Sequence, residues 1–211
     1  MSTYPSIFND VIGPVMRGPS SSHCAASLRI ARICRDLVDE NIKDILIEFD
    51  HTGSLATTHK SQGSDMGLFG GFLGWEAYDE RLPESDKYIA TAGINVSIRI
   101  ADIGAGHPNT YKITLQNNHE TRRLTAISTG GGMIEVIEID GVPVSMAGDY
   151  FETLIYCNKP ESVLPFLRAS MEVDSIEIHK GEVNFIEIKS QTFLEPAICK
   201  ELQEMDGVLF I

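Results

Sequence analysis

The sequence is short of basic residues. It has 17 lysines and arginines against 30 aspartates and glutamates, which gives a formal net charge of −13 over 211 residues. A nucleic-acid backbone and an anionic membrane surface both require clustered Lys and Arg side chains. We therefore do not expect either of them to be the main partner of this chain.

Long apolar runs and a secretion signal are also missing. The longest apolar run, Met66–Trp75, has about half the length that a bilayer-spanning helix requires. The first residues, Met1–Pro5, lack the basic and apolar regions of a signal peptide. These two absences lead us to expect a cytoplasmic protein.

Cysteines are few and scattered. None of the four forms a Cys-x-x-Cys pair, and Cys24 and Cys34 lie ten residues apart on one predicted helix. Because each residue advances a helix by about 100°, these two thiols are expected on different faces. We expect four reduced thiols and no metal ligand in this chain.

Common nucleotide-binding motifs and internal repeats are absent as well. No Gly-Lys-Ser/Thr ends a phosphate-binding loop, and no GxGxxG leads from a strand into a helix. What remains is an ordinary globular composition, 43% hydrophobic and 22% charged. A chain of this length can bury a core of its own in one large domain or two modest ones.

The first part of the chain is predicted to be an α/β (α+β) fold with a mixed sheet. A helix is expected after Ser22, where apolar residues recur at helical spacing. Strands are expected at 42–50, 94–100, 111–116, 122–128 and 133–139, and a loop with two short helices at 53–74. Alternation in the first strand predicts that Asp44, Glu48 and Asp50 face the solvent.

The chain changes character near residue 148, after which acidic residues are denser. The pattern there predicts strands at 153–157, 175–180, 185–189 and 208–211, with helices at 161–171 and 195–205. This β-α-β-β-α-β order is typical of a ferredoxin-like unit. We therefore predict two domains, 1–148 and 149–211.

Ser20, Ser21, Ser22 and His23 form the first candidate site, at the predicted helix start. Free backbone N–H groups, three hydroxyls and an imidazole meet there, which suits a carboxylate or a phosphate. A helix cap with surplus serines would explain the same residues.

A second candidate segment is 53–65. Its small residues, including Gly53 and Ser54, allow close approach of a ligand, and Lys60 could meet a carboxylate. The alternative interpretation is a glycine-rich connection between packed helices.

Two further segments, 104–110 and 128–132, are weaker candidates. His107 and Asn109 could hydrogen-bond a small polar ligand, although His-Pro-Asn-Thr is also a common kind of turn with side-chain caps. The glycines 130–132 could present N–H groups to an anion or could simply form a turn.

Taken together, these segments resemble the β portion of the iron–sulfur L-serine dehydratases. The resembling segments are Ile12-Gly13-Pro14-Val15-Met16-Arg17-Gly18-Pro19-Ser20-Ser21-Ser22-His23, Gly53-Ser54-Leu55-Ala56, Gly63-Ser64-Asp65, Asp79–Ser85, His107-Pro108-Asn109-Thr110 and Gly130-Gly131-Gly132. Gly-Pro-Ser-Ser-Ser-His followed by His-Pro-Asn-Thr is specific, whereas the triple glycine alone is not. The C-terminal unit resembles an ACT domain, so the resemblance covers essentially the whole chain.

The resemblance implies one subunit of a lyase that belongs to amino-acid metabolism and gluconeogenesis. In this family L-serine is converted to pyruvate and ammonia, and the cysteines of a [4Fe–4S] cluster lie in a separate α chain. The β chain supplies a serine dehydratase β-type domain that binds a small ligand, and an ACT-like domain. This chain would then be inactive alone and would require that α chain. It would also be part of a homo- or hetero-oligomer.

The resemblance also implies roles for particular residues. Ser20, Ser21, Ser22, His23 and Lys60 would be catalytic and would border a cleft shared with the α chain. The implied substrate- or effector-binding residues are Gly53, Ser54, Gln62, Asp65, His107, Asn109, Thr110, Gly130, Gly131 and Gly132. Within that set, His107 and Asn109 would hold an effector serine, and no residue of this chain would bind a metal.

Three positions depart from the family pattern. Gln62 stands where a functional histidine is expected, and an amide cannot cycle a proton near neutral pH. Cys24 stands where threonine is common. Glu161 replaces a glycine of the ACT-like loop, and its carboxylate would repel that of an amino acid, so we expect the tail to be structural or oligomeric.

The main alternative is a catalytically inactive, amino-acid-binding regulatory protein of the same fold, and Gln62 favours it. A nucleic-acid or membrane module is disfavoured by the acidic charge. A pyridoxal phosphate enzyme is a further alternative, although the sequence around Lys60 shows no clear binding pattern for that cofactor.

Overall fold

The computed structural model describes residues 13–38 and 42–211. These residues form two units, the first of which runs to Ile139 and includes Pro143–Ser145. The second contains Asp140–Val142 and Met146–Ile211. Ile12 and the segment Met1–Pro5 lie outside the described residues, and the domain limits at 148 and 149 stay a prediction.

A six-stranded mixed sheet forms the centre of the first unit, which confirms the predicted α/β (α+β) class. Its strands are β1 (Asp44–Asp50), β2 (Asn95–Ala101), β3 (Thr110–Gln116), β4 (Thr121–Gly130), β5 (Met133–Ile139) and β6 (Val142–Met146). Their order across the sheet is β2-β1-β3-β4-β5-β6. Strand β1 is parallel to β2 and antiparallel to β3, so both of its edges are hydrogen-bonded within the sheet.

Helices of the first unit pack closely through glycines. A π-helical turn, Ser21–Ala25, leads into α1 (Ala26–Asp36), and the others are α2 (Leu55–Thr58), α3 (Ser64–Phe72) and α4 (Ser85–Thr91). A Cβ on Gly67 of α3 would overlap the carbonyl oxygen of Cys24 and the hydroxyl of Ser27. Among the described residues, no helix has both the length and the apolar character needed to cross a membrane.

The solvent-facing prediction for β1 is confirmed for Asp44, which is exposed. It is wrong for Glu48 and Asp50, which are buried, with 7% and 6% of their surface exposed. Glu48 is paired across the sheet with Arg99 of β2. Asp50 accepts hydrogen bonds from the backbone N–H groups of Thr52, Ile103 and Ala105. A carboxylate with such partners is tolerated in the interior, and alternation alone cannot reveal those partners.

The second unit has the predicted β-α-β-β-α-β order. Its elements are β7 (Phe151–Cys157), α5 (Pro160–Ser170), β8 (Ser175–His179), β9 (Phe185–Ser190), α6 (Pro196–Gln203) and β10 (Val208–Phe210). The four strands form an antiparallel sheet in the order β10-β7-β9-β8. The core lies between this sheet and the two helices and contains Ile155, Cys157, Val163, Leu167, Ile186, Ile188 and Leu202.

Three charged side chains, one lysine and two glutamates, lie close together on the strands of the second unit. Lys189 Nζ lies 3.5 Å from Glu152 Oε1 and 3.3 Å from Glu187 Oε1. Desolvation of the Glu152 carboxyl, aided by the nearby negative charge of Glu187, raises the pKa of Glu152 to about 7, although Lys189 opposes the shift. Folding therefore favours the protonated form of this side chain.

Replacing Glu152 by Gln is expected to stabilise the chain above pH 7. The ordinary pKa is 4.5 and the folded-state pKa is about 7, so the wild-type chain loses stability as the pH rises through that window. Since one pKa unit corresponds to about 1.36 kcal/mol, the gain at pH 8 should be about 1–3 kcal/mol. Urea unfolding at pH 5 and pH 8 measures it.

Glu201→Gln, at an exposed position on α6 of the same unit, is the matched control and should show little dependence on pH. A wild-type chain that gained stability relative to Glu152→Gln between pH 5 and pH 8 would contradict the assignment.

Candidate functional site

The backbone turns sharply into the helix that carries His23. Gly18 has a φ of 111°, which favours glycine, and a Cβ there would lie 2.7 Å from Met66 Cε and 2.8 Å from Cys24 Sγ. Ser20 is extended, with φ −146° and ψ 124°, and Ser21 begins the helix. The sequence therefore places the serines at a helix start, as predicted.

His23 is held on both sides by hydroxyl groups. Its Nδ1 lies 3.1 Å from Ser20 Oγ and 3.3 Å from Ser22 Oγ. Its Nε2 lies 3.1 Å from Thr58 Oγ1, on α2. The structure thus brings three of the four predicted residues at this helix start together with Thr58, which sequence reasoning did not single out.

The hydrogen-bond network assigns the tautomer of His23. The single hydroxyl proton of Thr58 is donated to the carbonyl oxygen of Ser54, over 2.6 Å, so Thr58 Oγ1 accepts from His23 Nε2–H. Burial lowers the pKa of His23 and favours the neutral ring. Its basic nitrogen, Nδ1, therefore faces the hydroxyls of Ser20 and Ser22 and accepts from them.

Strand β4 supports this helix start from the sheet. The hydroxyl of Ser128 donates to the carbonyl oxygen of Ser22 over 2.7 Å, and Ser128 is buried. Gly132 lies beside the same turn, since a Cβ on it would be 3.2 Å from Pro14 Cγ and 3.5 Å from Ala25 Cβ. Gly130, Gly131 and Gly132 all have positive φ and connect β4 to β5.

The second and third candidate segments meet directly. The backbone N–H of Ser54 donates to the carbonyl oxygen of Pro108 over 2.9 Å, and the Ser54 hydroxyl donates to Asn109 Oδ1. A Cβ on Gly53 would lie 2.7 Å from the same carbonyl oxygen of Pro108, which explains the small residue. Through Ser54 and Thr58, the His107–Thr110 loop is linked to His23.

Part of the His107–Thr110 loop is used to hold its own turn. The backbone N–H of Asn109 donates to His107 Nδ1 over 3.1 Å, and the Thr110 hydroxyl donates to the carbonyl oxygen of His107 over 2.7 Å. This agrees with the turn-and-cap interpretation. It does not exclude ligand binding, because Nε2 of His107 and the amide nitrogen of Asn109 are not used in these bonds.

Asp50 fixes the segment that leads into this loop. Its carboxylate accepts from the hydroxyl and the N–H of Thr52 and from the N–H groups of Ile103 and Ala105. These bonds, those from Thr52 first, hold the pKa of Asp50 well below its usual range. The sequence analysis missed this role, since it assigned Asp50 to the solvent.

A second imidazole lies in the loop next to Thr58. His59 Nδ1 lies 2.6 Å from Asp65 Oδ1, and the backbone N–H groups of Ser64 and Asp65 donate to the carbonyl oxygen of His59. The His59 ring packs against Phe49, with 5.3 Å between ring centroids. Asp65 was a predicted site residue, but His59 was not, although the candidate segment contained it.

The side chains of two predicted residues in this loop make no hydrogen bond to the His23 group. The side chain of Lys60 is exposed and that of Gln62 is half-buried. Gln62 donates its backbone N–H to the carbonyl oxygen of Thr58 over 2.8 Å. Both side chains are therefore free to point towards a ligand or a partner.

The thiols of this chain do not fit an iron–sulfur cluster. Cys24 and Cys34 belong to the first unit and Cys157 and Cys199 to the second. Burial raises the pKa of Cys24 to about 11 and also raises that of Cys34, whereas a cluster needs thiolates. All four cysteines are described, and none belongs to a group of described side chains that could hold a metal.

Two similar proteins of known sequence are both named as L-serine dehydratase β chains. The chain is 32% identical over 214 residues to a probable L-serine dehydratase β chain of Bacillus subtilis (strain 168), covering 98% of this chain and 96% of the relative. It is 31% identical over 184 residues to an L-serine dehydratase β chain of Peptoniphilus asaccharolyticus, covering 84% of this chain and 82% of that relative. No protein-family model matches the chain.

Proposed function

Because this chain belongs to the family of L-serine dehydratase β chains, we propose that it is the β subunit of an enzyme that converts L-serine to pyruvate and ammonia. The observation that carries the proposal is the hydroxyl-lined helix start around His23, in a chain whose match to the Bacillus subtilis relative covers 98% of its length. The subunit acts with an α chain and is inactive alone.

The helix start binds the polar groups of the substrate. The first backbone N–H groups of a helix have no partner within the helix and attract a carboxylate. The hydroxyls of Ser20 and Ser22 are oriented by His23 Nδ1, and Ser21 lies between them at the same turn. Lys60 is exposed in the neighbouring loop and supplies a positive charge for the substrate carboxylate.

The [4Fe–4S] cluster of the proposed enzyme belongs to the α chain. The dispersed thiols of this chain, three of which are buried, do not suit it. When bound, such a cluster supplies a Lewis-acidic iron.

The loop around His107 binds an effector amino acid in this proposal. His107 Nε2 and the amide nitrogen of Asn109 offer polar contacts beside the buried Thr110. The turn Gly130–Gly132 lies next to the His23 helix through Ala25 and belongs to the substrate-binding part.

Co-expression tests the proposal. This chain alone is expected to form no pyruvate from L-serine, whereas anaerobic co-expression with a cysteine-bearing α chain from the same genome should give a brown, oxygen-sensitive complex that does. Pyruvate formation is measured with and without exposure to air. A purified, cluster-loaded complex that leaves L-serine unchanged would refute the substrate assignment.

A second candidate function is a regulatory protein that binds an amino acid without catalysis. Gln62 favours it, because an amide side chain cannot accept a proton from the substrate. Calorimetry separates the two candidates: this candidate predicts that the isolated chain binds L-serine, that His107→Ala weakens binding, and that no α chain co-purifies.

The C-terminal unit has a structural role in either case. The loop after β7 is closed by a hydrogen bond from the N–H of Asn158 to the carbonyl oxygen of Gly207 and by an ion pair between Lys159 and Asp206, both 2.8 Å long. Glu161 follows in the first turn of α5 and brings a negative charge to the place where an amino acid carboxylate would otherwise bind.

A further inference from the structure

The two histidines beside α2 have opposite hydrogen-bonding roles. His23 donates from Nε2 and receives hydroxyls at Nδ1. His59 donates from Nδ1 to the Asp65 carboxylate over 2.6 Å, since a carboxylate can only accept. The basic nitrogen of His59 is therefore Nε2, and no residue that the structure describes hydrogen-bonds it.

His59 is held rigidly enough to keep that nitrogen in one direction. Its side chain is 20% exposed and that of Asp65 is 13% exposed. Phe49 packs against the ring, and two backbone N–H groups fix the carbonyl oxygen of the same residue. A carboxylate that orients an imidazole and leaves its second nitrogen open is the arrangement of a general base.

The loop that carries His59 lies against the His23 helix start. Thr58, the preceding residue, accepts from His23 Nε2. A Cβ on Gly63, four residues after His59, would lie 3.3 Å from both Cys24 Cβ and Pro19 Cδ. His59 therefore belongs to the same group of elements as the serines at positions 20–22.

Among the side chains of this group, His59 alone combines an open basic nitrogen with an orienting carboxylate. Nδ1 of His23 is engaged by serine hydroxyls, and Gln62, three residues after His59, has an amide that takes up no proton near neutral pH. His107 lies in the other loop and uses Nδ1 for its own turn. His59 is therefore the best-placed general base among these side chains.

We propose that His59, oriented by Asp65, is the residue that takes the α-proton of the substrate, an assignment that rests on the proposed dehydratase function. The Cα–H bond breaks as the proton passes to Nε2. Its electron pair forms the Cα=Cβ bond while the Cβ–O bond breaks, and the departing hydroxide takes the proton from His59 and leaves as water. Serine thereby gives aminoacrylate and water, and His59 returns to its starting state.

The geometry can be tested on the full-length chain without an α chain. Imidazole ¹⁵N spectra are expected to report a hydrogen on Nδ1 of His59, and Asp65→Asn is expected to change the tautomer populations of this ring. A wild-type His59 with its hydrogen on Nε2 would overturn the proposal, because the nitrogen that Asp65 does not bind would then have no lone pair to accept a proton.

The role is tested in the assembled enzyme. His59→Gln is expected to lower kcat by about 10²- to 10⁴-fold while changing KM only a few-fold. Activity of His59→Ala should rise on addition of imidazole. The deuterium isotope effect with α-deuterated L-serine should be larger in His59→Gln than in the wild type, because proton removal becomes slower than the other steps.

His119→Gln is the matched control, since His119 is an exposed histidine of the same unit in the turn between β3 and β4, and it should keep wild-type activity. If the wild-type complex dehydrates L-serine and His59→Gln does so within about three-fold, the assignment of His59 is wrong and the proposed function stands. If the wild-type complex leaves L-serine unchanged, both are wrong.

Discussion

The His23→Gln variant of the assembled enzyme is expected to dehydrate L-serine about 10²-fold more slowly than the wild type, because the substrate-binding hydroxyls lose their orientation. His23 Nδ1 orients the hydroxyls of Ser20 and Ser22, and Nε2 ties the helix start to α2 through Thr58. Glutamine can replace one of these contacts but cannot span both. Steady-state kinetics with L-serine measure the change, and both kcat and kcat/KM should fall.

Thr58→Val separates orientation from chemistry. Valine matches threonine in shape but makes no hydrogen bond, so His23 loses the partner of its Nε2–H and the carbonyl oxygen of Ser54 loses the Thr58 hydroxyl. Loss of the hydrogen bond to His23, about 1 kcal/mol, should lower kcat/KM about five- to ten-fold. Thr57→Val, at the exposed neighbouring position, is the control and should be silent.

Added to His23→Gln, Thr58→Val should have almost no further effect, because the two residues act through one contact. If the losses of kcat/KM in the two single variants add fully in the double variant, His23 and Thr58 do not act through one hydrogen bond. If Thr57→Val lowers kcat/KM as much as Thr58→Val does, the effect comes from a general disturbance of α2.

Local patterns in the sequence were sufficient to predict the helix start around His23. A run of serines before an apolar stripe is a local signal, and the structure begins the helix at Ser21. The partners of His23 and Ser22 were not predictable in the same way. Thr58 and Ser128 lie 35 and 106 residues away from them along the chain, and a single sequence contains no signal for contacts of that kind.

The elements that the sequence analysis omitted are short or irregular. Helix α4 has seven residues and strand β6 has five, with a proline inside the strand. Such segments form because neighbouring elements cover them, and their own periodicity is too brief to detect. In the second unit, by contrast, each predicted helix and strand lies within a few residues of its observed bounds, because turn residues mark both ends.

His59 illustrates the remaining difficulty. A lone histidine beside Lys60 carries no signal of its own, and only the fold brings Asp65 to within 2.6 Å of its ring. Asp50 shows the opposite problem. The alternating pattern of β1 predicts that its carboxylate is exposed, but the fold buries it and supplies backbone N–H groups as hydrogen-bond donors.

Replacing Gly67 by Ala is expected to destabilise the chain by about 2–4 kcal/mol. Alanine favours a helix over glycine by about 1 kcal/mol, but a Cβ at this position of α3 would overlap the backbone carbonyl oxygen of Cys24 and the buried hydroxyl of Ser27. A backbone carbonyl cannot rotate away, so α3 must move from α1. Urea unfolding and a melting temperature lower by about 5–15 °C measure the cost.

Gly70→Ala in the same helix is the matched control. The added methyl group would meet Cδ2 of Leu82, the end of a side chain that can change its rotamer, so the loss should be clearly smaller than for Gly67→Ala. Equal losses would mean that helix propensity or general crowding decides the cost. The added Cβ of Gly67→Ala would meet the backbone of Cys24, the residue directly after His23. The Gly67→Ala variant should therefore also have lower dehydratase activity at temperatures where it is still folded, whereas Gly70→Ala should not.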